Sequence, residues 1–80
     1  MIQIEDLRLV ATLAGSRSLS AAARALNVTP PALSARLKRL EERLGLNLAV
    51  RSSHRLGLTA EGERFAAEAV LLLGRLEALP

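Results

Sequence analysis

Residues 29–44, TPPALSARLKRLEERL, leave the chain little choice but a bounded amphipathic helix. Leu33, Leu37, Leu40 and Leu44 recur at spacings of four, three and four, so they share one side of an α-helix and bury together. Thr29 suits the N-cap, Pro30 suits the first helical position, where an N–H has no helical partner, and Gly45 suits the C-terminal stop. At about 100° per residue, Pro31, Ala35, Lys38, Arg39 and Glu42 fall opposite the leucines, with Ser34 and Arg36 on the flanks. This outward face is small at its start and basic further on. Arg36, Lys38 and Arg39 precede Glu41 and Glu42, the reverse of the order that the helix macrodipole favours. Helix stability does not explain that order, whereas a polyanion against the N-terminal half does; the plain alternative is a charged face that meets water.

The segments around this helix fix its context. Residues 2–14 read as a first helix with Ile4, Leu7, Val10, Ala11 and Ala14 on its inward side and Glu5 and Asp6 in its opening turn. Gly15 and Ser16 break it. Ser18 caps a short second helix over 19–26, whose inward Leu19, Ala22, Ala23 and Leu26 let a neighbour approach closely. Asn27 and Val28 make a tight turn into Thr29. The expected fold is mainly α, a three-helix core built on a helix-turn-helix.

After Gly45, residues 46–51 tolerate a strand, Ser52 to Arg55 form a polar turn, and Leu56 to Leu58 return as a second short strand. The result is a small two-stranded wing over about 46–58 with a basic tip. Thr59 caps a long last helix that runs almost to Pro80, with Glu61 and Glu63 in its first turn. In it Phe65, Ala69, Leu72, Leu76 and Leu79 follow a heptad seam, and Ala66, Val70 and Leu73 add a second apolar stripe. One helix on a small core needs one stripe, so the surplus implies a second copy, with Phe65, Ala69, Leu72, Leu73 and Leu76 as the dimerisation residues. Gly74 weakens a lone helix by about 1 kcal/mol relative to alanine, which close helix contact would offset. The division is a winged domain over 1–58 and a dimerisation or linker helix over 59–80.

Eighty residues make one domain with a modest core, which a dimer contact would reinforce. The sequence has no cysteine, so disulfides and thiolate metal sites are excluded, and the sole aromatic residue, Phe65, argues against platforms that stack single-stranded bases. Duplex is then the expected form of any nucleic-acid ligand. No apolar run reaches the roughly 18 residues of a membrane span and the start lacks a signal-peptide pattern, so no membrane association and a cytoplasmic location are expected. The net charge of +3 is unevenly spread: residues 16–55 carry eight cations against Glu41 and Glu42, while both ends are acidic. A basic middle is the electrostatic footprint of an anionic partner.

Other chemistries find little support. His54 is the sole histidine and has no cysteine to join it around a metal. With Ser52, Ser53 or Ser34 it suggests a nucleophile and base, but no carboxylate has the spacing to orient the imidazole. The chain is expected to be no enzyme and to use no cofactor and no metal.

Ala22, Ala23 and Leu26; the run Pro31, Ala32, Leu33, Ser34; Leu40 and Glu41; Leu44 and Gly45; Leu48; Arg51; and Leu58, Thr59 and Gly62 together resemble the N-terminal DNA-binding domain of LysR-type transcriptional regulators, from about Leu7 to Phe65. The resemblance implies a winged helix-turn-helix that binds promoter or operator duplex as a homodimer, the last helix serving for dimerisation. It also implies a small-molecule effector that acts only through a further domain absent from this chain. The chain departs from the family at Pro30, often glutamine, at Ala35, often arginine, and at His54, usually arginine. Aromatics are usual at Val10, Leu19 and Ala49, and a glycine near Arg17. Molybdate-responsive regulators have a similar N-terminal domain but match less well after Gly45.

With residues 30–44 in the major groove, Ser34 and Lys38 are the side chains able to hydrogen-bond a base, while Pro31 and Ala35 can meet a thymine methyl. Affinity is expected mainly from phosphate contacts by Arg36, Lys38, Arg39 and Arg51, and from the starts of the second and third helices, where Ser20 and Thr29 add hydroxyls beside Pro30. His54 and Arg55 on the wing, residues 51–56, reach toward a minor groove. Arg51 has a second reading, pinning the wing through Glu41 or Glu42. The alternative function is a winged-helix module whose basic face meets an acidic protein.

Overall fold

The N-caps and apolar spacings read above fold, in the computed structural model, into α1 (Ile4–Ala14), α2 (Leu19–Ala25), α3 (Pro30–Leu44), β1 (Ala49–Arg51), β2 (Leu56–Leu58) and α4 (Ala60–Glu77). The structure describes residues 1–51 and 56–80, without the side chain of Arg51. The fold is a mainly helical winged helix-turn-helix, as its sequence pattern requires.

Local signals close the helices. Ser18 Oγ accepts from the Ala21 N–H, Thr29 Oγ1 from Ala32 and Thr59 Oγ1 from Gly62, each an N-cap bond that satisfies a first-turn donor. Helix α2 ends on Asn27 at φ 62, a left-handed conformation that asparagine tolerates. The Val28 N–H then bonds the Ala23 carbonyl and the Asn27 N–H the Arg24 carbonyl, the paired closure of a Schellman motif. Helix α3 ends at Gly45, φ 69, whose N–H and that of Leu46 both reach the Glu41 carbonyl. Helix α1 starts later than expected, at Ile4, because Gln3 and Asp6 close its first turn: the Gln3 N–H donates to the Asp6 carboxylate and the Gln3 carbonyl accepts from the Asp6 N–H.

The core gathers Leu9, Val10 and Leu13 of α1, Ala22 and Ala23 of α2, Leu33, Leu37 and Leu40 of α3, Leu48, and Ala66 of α4. The small alanines of α2 allow the close approach expected of them, and α3 turns its leucines inward. Helix α1 is rotated from the stripe expected. Leu9 and Leu13 are buried with Val10, whereas Ile4 and Ala14 are exposed. The reason is that α1 packs against α4 as well as α2, so its buried side is set by two neighbours.

The hairpin is shorter than the 46–58 span. Ala49 pairs with Leu58, Val50 with Gly57 and Arg51 with Leu56, antiparallel. Residues 46–48 stay outside the ladder because Leu48 is drawn wholly into the core. Helix α4 stops at Glu77, short of Pro80. Its inward residues are Gly62, Ala66 and Ala69, with Phe65 half-buried beside them.

Candidate nucleic-acid interface

Helix α3 sits in the body of the fold by its leucine stripe and is therefore presented by its opposite side. Pro30, Pro31, Ala35, Lys38 and Arg39 are exposed, and Ser34 and Arg36 are half-buried at the margins. The first turn carries small side chains, so another surface can come close to the backbone there. Beyond it the cations begin. Among the described residues Arg36, Lys38 and Arg39 have no ion pair, which leaves their charge available to an external anion.

The cations do not form one uniform face. Arg36 and Arg39 lie on the margin toward α1, where they share a cleft of about 640 Å³ with Glu5, Asp6, Glu42 and Arg43. Lys38 lies on the other margin, in a cleft with Glu41, Glu42 and Asn47. Arg43, which the sequence reading left unassigned, spans from the end of α3 to the start of α1. Its guanidinium donates to the Asp6 carboxylate at 3.1 Å and to the Met1 carbonyl at 3.0 Å. No sequence spacing links residues so far apart; the acidic first turn of α1 was the available signal.

The start of α3 differs from the expected anion site of free backbone N–H groups. Pro30 and Pro31 have no N–H, the Ala32 N–H is taken by Thr29 Oγ1 and the Leu33 N–H by the Thr29 carbonyl. What remains there for an anion is the Thr29 hydroxyl proton and the positive end of the helix dipole. Ser20, Arg24, Asn27, Thr29 and Pro30 line one open cleft between α2 and α3, so the structure brings Ser20 and Thr29 together.

The β1 backbone places Arg51 opposite Leu56. His54 and Arg55, together with Ser52 and Ser53, lie outside the described residues. Glu41, which sequence reasoning treated as part of the family pattern and as a possible partner of Arg51, also reaches the backbone at the root of β1. Its Oε2 accepts from the backbone N–H groups of Leu48 at 2.8 Å and Ala49 at 3.3 Å.

The five residues expected at a dimer contact separate into two groups. Ala69 is fully buried within its own protomer and Phe65 packs on the same core, because α4 lies along α1 at this level. Leu73 is half-buried. Leu72 and Leu76 are exposed, in company with Val70, Leu71 and Leu79. A groove of about 620 Å³ lined by Ile2, Leu7, Leu46, Phe65, Ala69 and Leu72, together with Glu61, Arg64 and Glu68, adjoins this patch. Among the described residues no helix is long and apolar enough to cross a membrane.

Comparison with known proteins places this geometry among regulators. A family model described as the bacterial regulatory helix-turn-helix protein, lysR family, matches residues 4–63. The probable cat1 operon transcriptional activator of Acinetobacter lwoffii is 36% identical over 76 residues, covering 95% of this chain and 25% of that protein. The transcriptional regulator MetR of Salmonella typhimurium is 46% identical over 63 residues, 79% of this chain and 20% of that protein. The chain thus spans about a quarter of the length of such curated relatives. Among solved structures, the BenM DNA-binding domain in complex with catB site 1 DNA superposes with a TM-score of 0.87 at 32% identity, covering 95% of this chain and 82% of that one. The CbnR DNA-binding domain in complex with DNA superposes equally well, at 0.87 and 29% identity, covering 95% and 87%.

Proposed function

The chain belongs to the lysR family of bacterial regulatory helix-turn-helix proteins, and on that premise we propose that it binds duplex DNA sequence-specifically, as a homodimer, in the service of transcription regulation. In this reading α3 enters the major groove by its exposed side. Ser34 and Lys38 meet base edges, Pro31 and Ala35 meet thymine methyl groups, and Arg36, Arg39 and Arg51 meet phosphates, with Ser20 and Thr29 contributing hydroxyl groups. The wing, including His54 and Arg55, lies toward the adjoining minor groove. The second copy docks through Leu72, Leu73 and Leu76 of α4, which sets two copies of α3 against two half-sites. Any effector belongs to a further domain of a longer protein, and the action is cytoplasmic.

The observation that carries the reading is the outward side of α3. Arg36, Lys38 and Arg39 have no ion pair among the described residues, and the first turn is stripped of bulk. Direct readout by two polar side chains is thin, so phosphate contact and duplex shape supply much of the affinity. Pro30 and Ala35 replace the longer polar side chains common in the family, which shifts the balance the same way.

The experiment is a salt titration of binding to duplexes that carry two half-sites about one helical turn apart. Log affinity should fall linearly with log salt, by about 0.9 per phosphate neutralised, and the paired sites should outcompete scrambled duplex. Ser34→Leu should reduce that preference with the helical content unchanged. Weak, equal binding to any polyanion would instead favour a module that meets an acidic protein.

A further inference from the structure

Glu41 stands on α3 beside the hairpin, away from the exposed side, and one oxygen of its carboxylate accepts from backbone. The same Oε2 collects the N–H groups of Leu48 and Ala49. On the far side of that peptide, the Leu48 carbonyl accepts the Thr59 N–H at 3.0 Å and the Thr59 hydroxyl donates to the Asn47 carbonyl at 2.6 Å. The Leu48 side chain is fully buried, and Gly62 of α4 lies directly against its carbonyl. The segment is thus gripped by α3 on one side and by the cap of α4 on the other, and β1 begins where the grip ends, at Ala49.

We infer that Glu41 is a positioning residue whose carboxylate sets the direction in which the β1–β2 hairpin leaves the helical body, and so the angle of the wing relative to α3. Between Gly45 and Ala49 the chain has neither helix nor ladder to orient it, so on the α3 side its course is set by two N–H groups that converge on one acceptor. A charged acceptor suits this because charge-assisted bonds are the shorter and stronger kind. The same peptide is seated against α4, so a tilt of the dimerisation helix is delivered to the root of the wing through Leu48. The consequence for duplex rests on the function proposed above; the clamp itself does not.

Two conservative variants of the whole chain separate geometry from charge. Glu41→Gln keeps the reach and an acceptor oxygen, whereas Glu41→Asp keeps the charge and withdraws the oxygen by one methylene. In the free protein, amide hydrogen exchange at Leu48 and Ala49 should quicken by about tenfold or more in Glu41→Asp, the scale of one lost charge-assisted bond. In Glu41→Gln, which keeps the reach but loses the charge assistance, the rise should be smaller, with the Leu37 and Leu40 amides unaffected in both. On duplex, hydroxyl-radical footprints should keep the protection under α3 in both variants and lose the flanking protection under the wing in Glu41→Asp. Unchanged exchange in Glu41→Asp, or greater exposure in Glu41→Gln than in Glu41→Asp, overturns the inference. A wild-type protein that protects no duplex overturns the DNA reading alone, because the exchange data still decide the clamp.

Discussion

Replacing glycine by alanine at two positions of α4 should move stability in opposite directions. At Gly62 an added Cβ would stand 1.9 Å from the Leu48 carbonyl oxygen and 2.8 Å from its carbon. Ordinary contact begins near 3.4 Å, so the backbone must yield by about 1.5 Å, and no flexible side chain is there to absorb the movement. Overpacking of this kind costs about 1–3 kcal/mol. The displaced carbonyl also forfeits its bond from the Thr59 N–H, worth about 1 kcal/mol. The helix propensity of alanine returns less than about 1 kcal/mol, which leaves a net loss of roughly 1–4 kcal/mol. For a domain of this size each kcal/mol shifts Tm by about 4–8 °C, so thermal unfolding followed by circular dichroism should show a drop of at least about 4 °C and, for a loss near the middle of that range, on the order of 10 °C. At Gly74 an added Cβ meets nothing within 4 Å. Gly74→Ala should raise stability by about 0.4–1 kcal/mol, measured at a dilution that keeps protomers apart. A Gly62→Ala protein as stable as wild type would refute the close packing of α4 on the Leu48 peptide.

Three further outcomes test the packing and the surfaces. Leu37 is wholly buried, so Leu37→Ala should lose about 2–5 kcal/mol in urea unfolding; a loss under about 1 kcal/mol would mean that α3 does not anchor by this stripe. Thr29→Ala removes the cap on Ala32 and should cost about 1 kcal/mol, read as a fall in Tm of several degrees with the folded spectrum preserved. Leu72→Glu combined with Leu76→Glu alters exposed positions and should leave protomer stability within about 0.5 kcal/mol, yet shift sedimentation from dimer to monomer; an unchanged sedimentation profile would remove these residues from the dimer contact.

The chain itself determined whatever is settled within a few residues. Thr29, Pro30, the leucine stripe and Gly45 bound α3 at Pro30–Leu44, because caps and spacing act through neighbours one turn away. The same holds for the Ser18 and Thr59 caps and for the turn at Asn27 and Val28. Tertiary packing decided the rest. The rotation of α1 that buries Leu9 and Leu13 follows from being held by α4 and α2 at once, and a one-dimensional pattern cannot say which of two apolar stripes meets its own core. The same ambiguity hid the fact that Ala69 and Phe65 serve the protomer while Leu72 and Leu76 face outward. The tie of Arg43 to Asp6, the seat of Gly62 on Leu48 and the grip of Glu41 on the root of β1 join elements far apart in sequence. Their geometry exists only once the helices are placed, since a bond of about 3 Å depends on the positions of both elements and no local preference specifies them together.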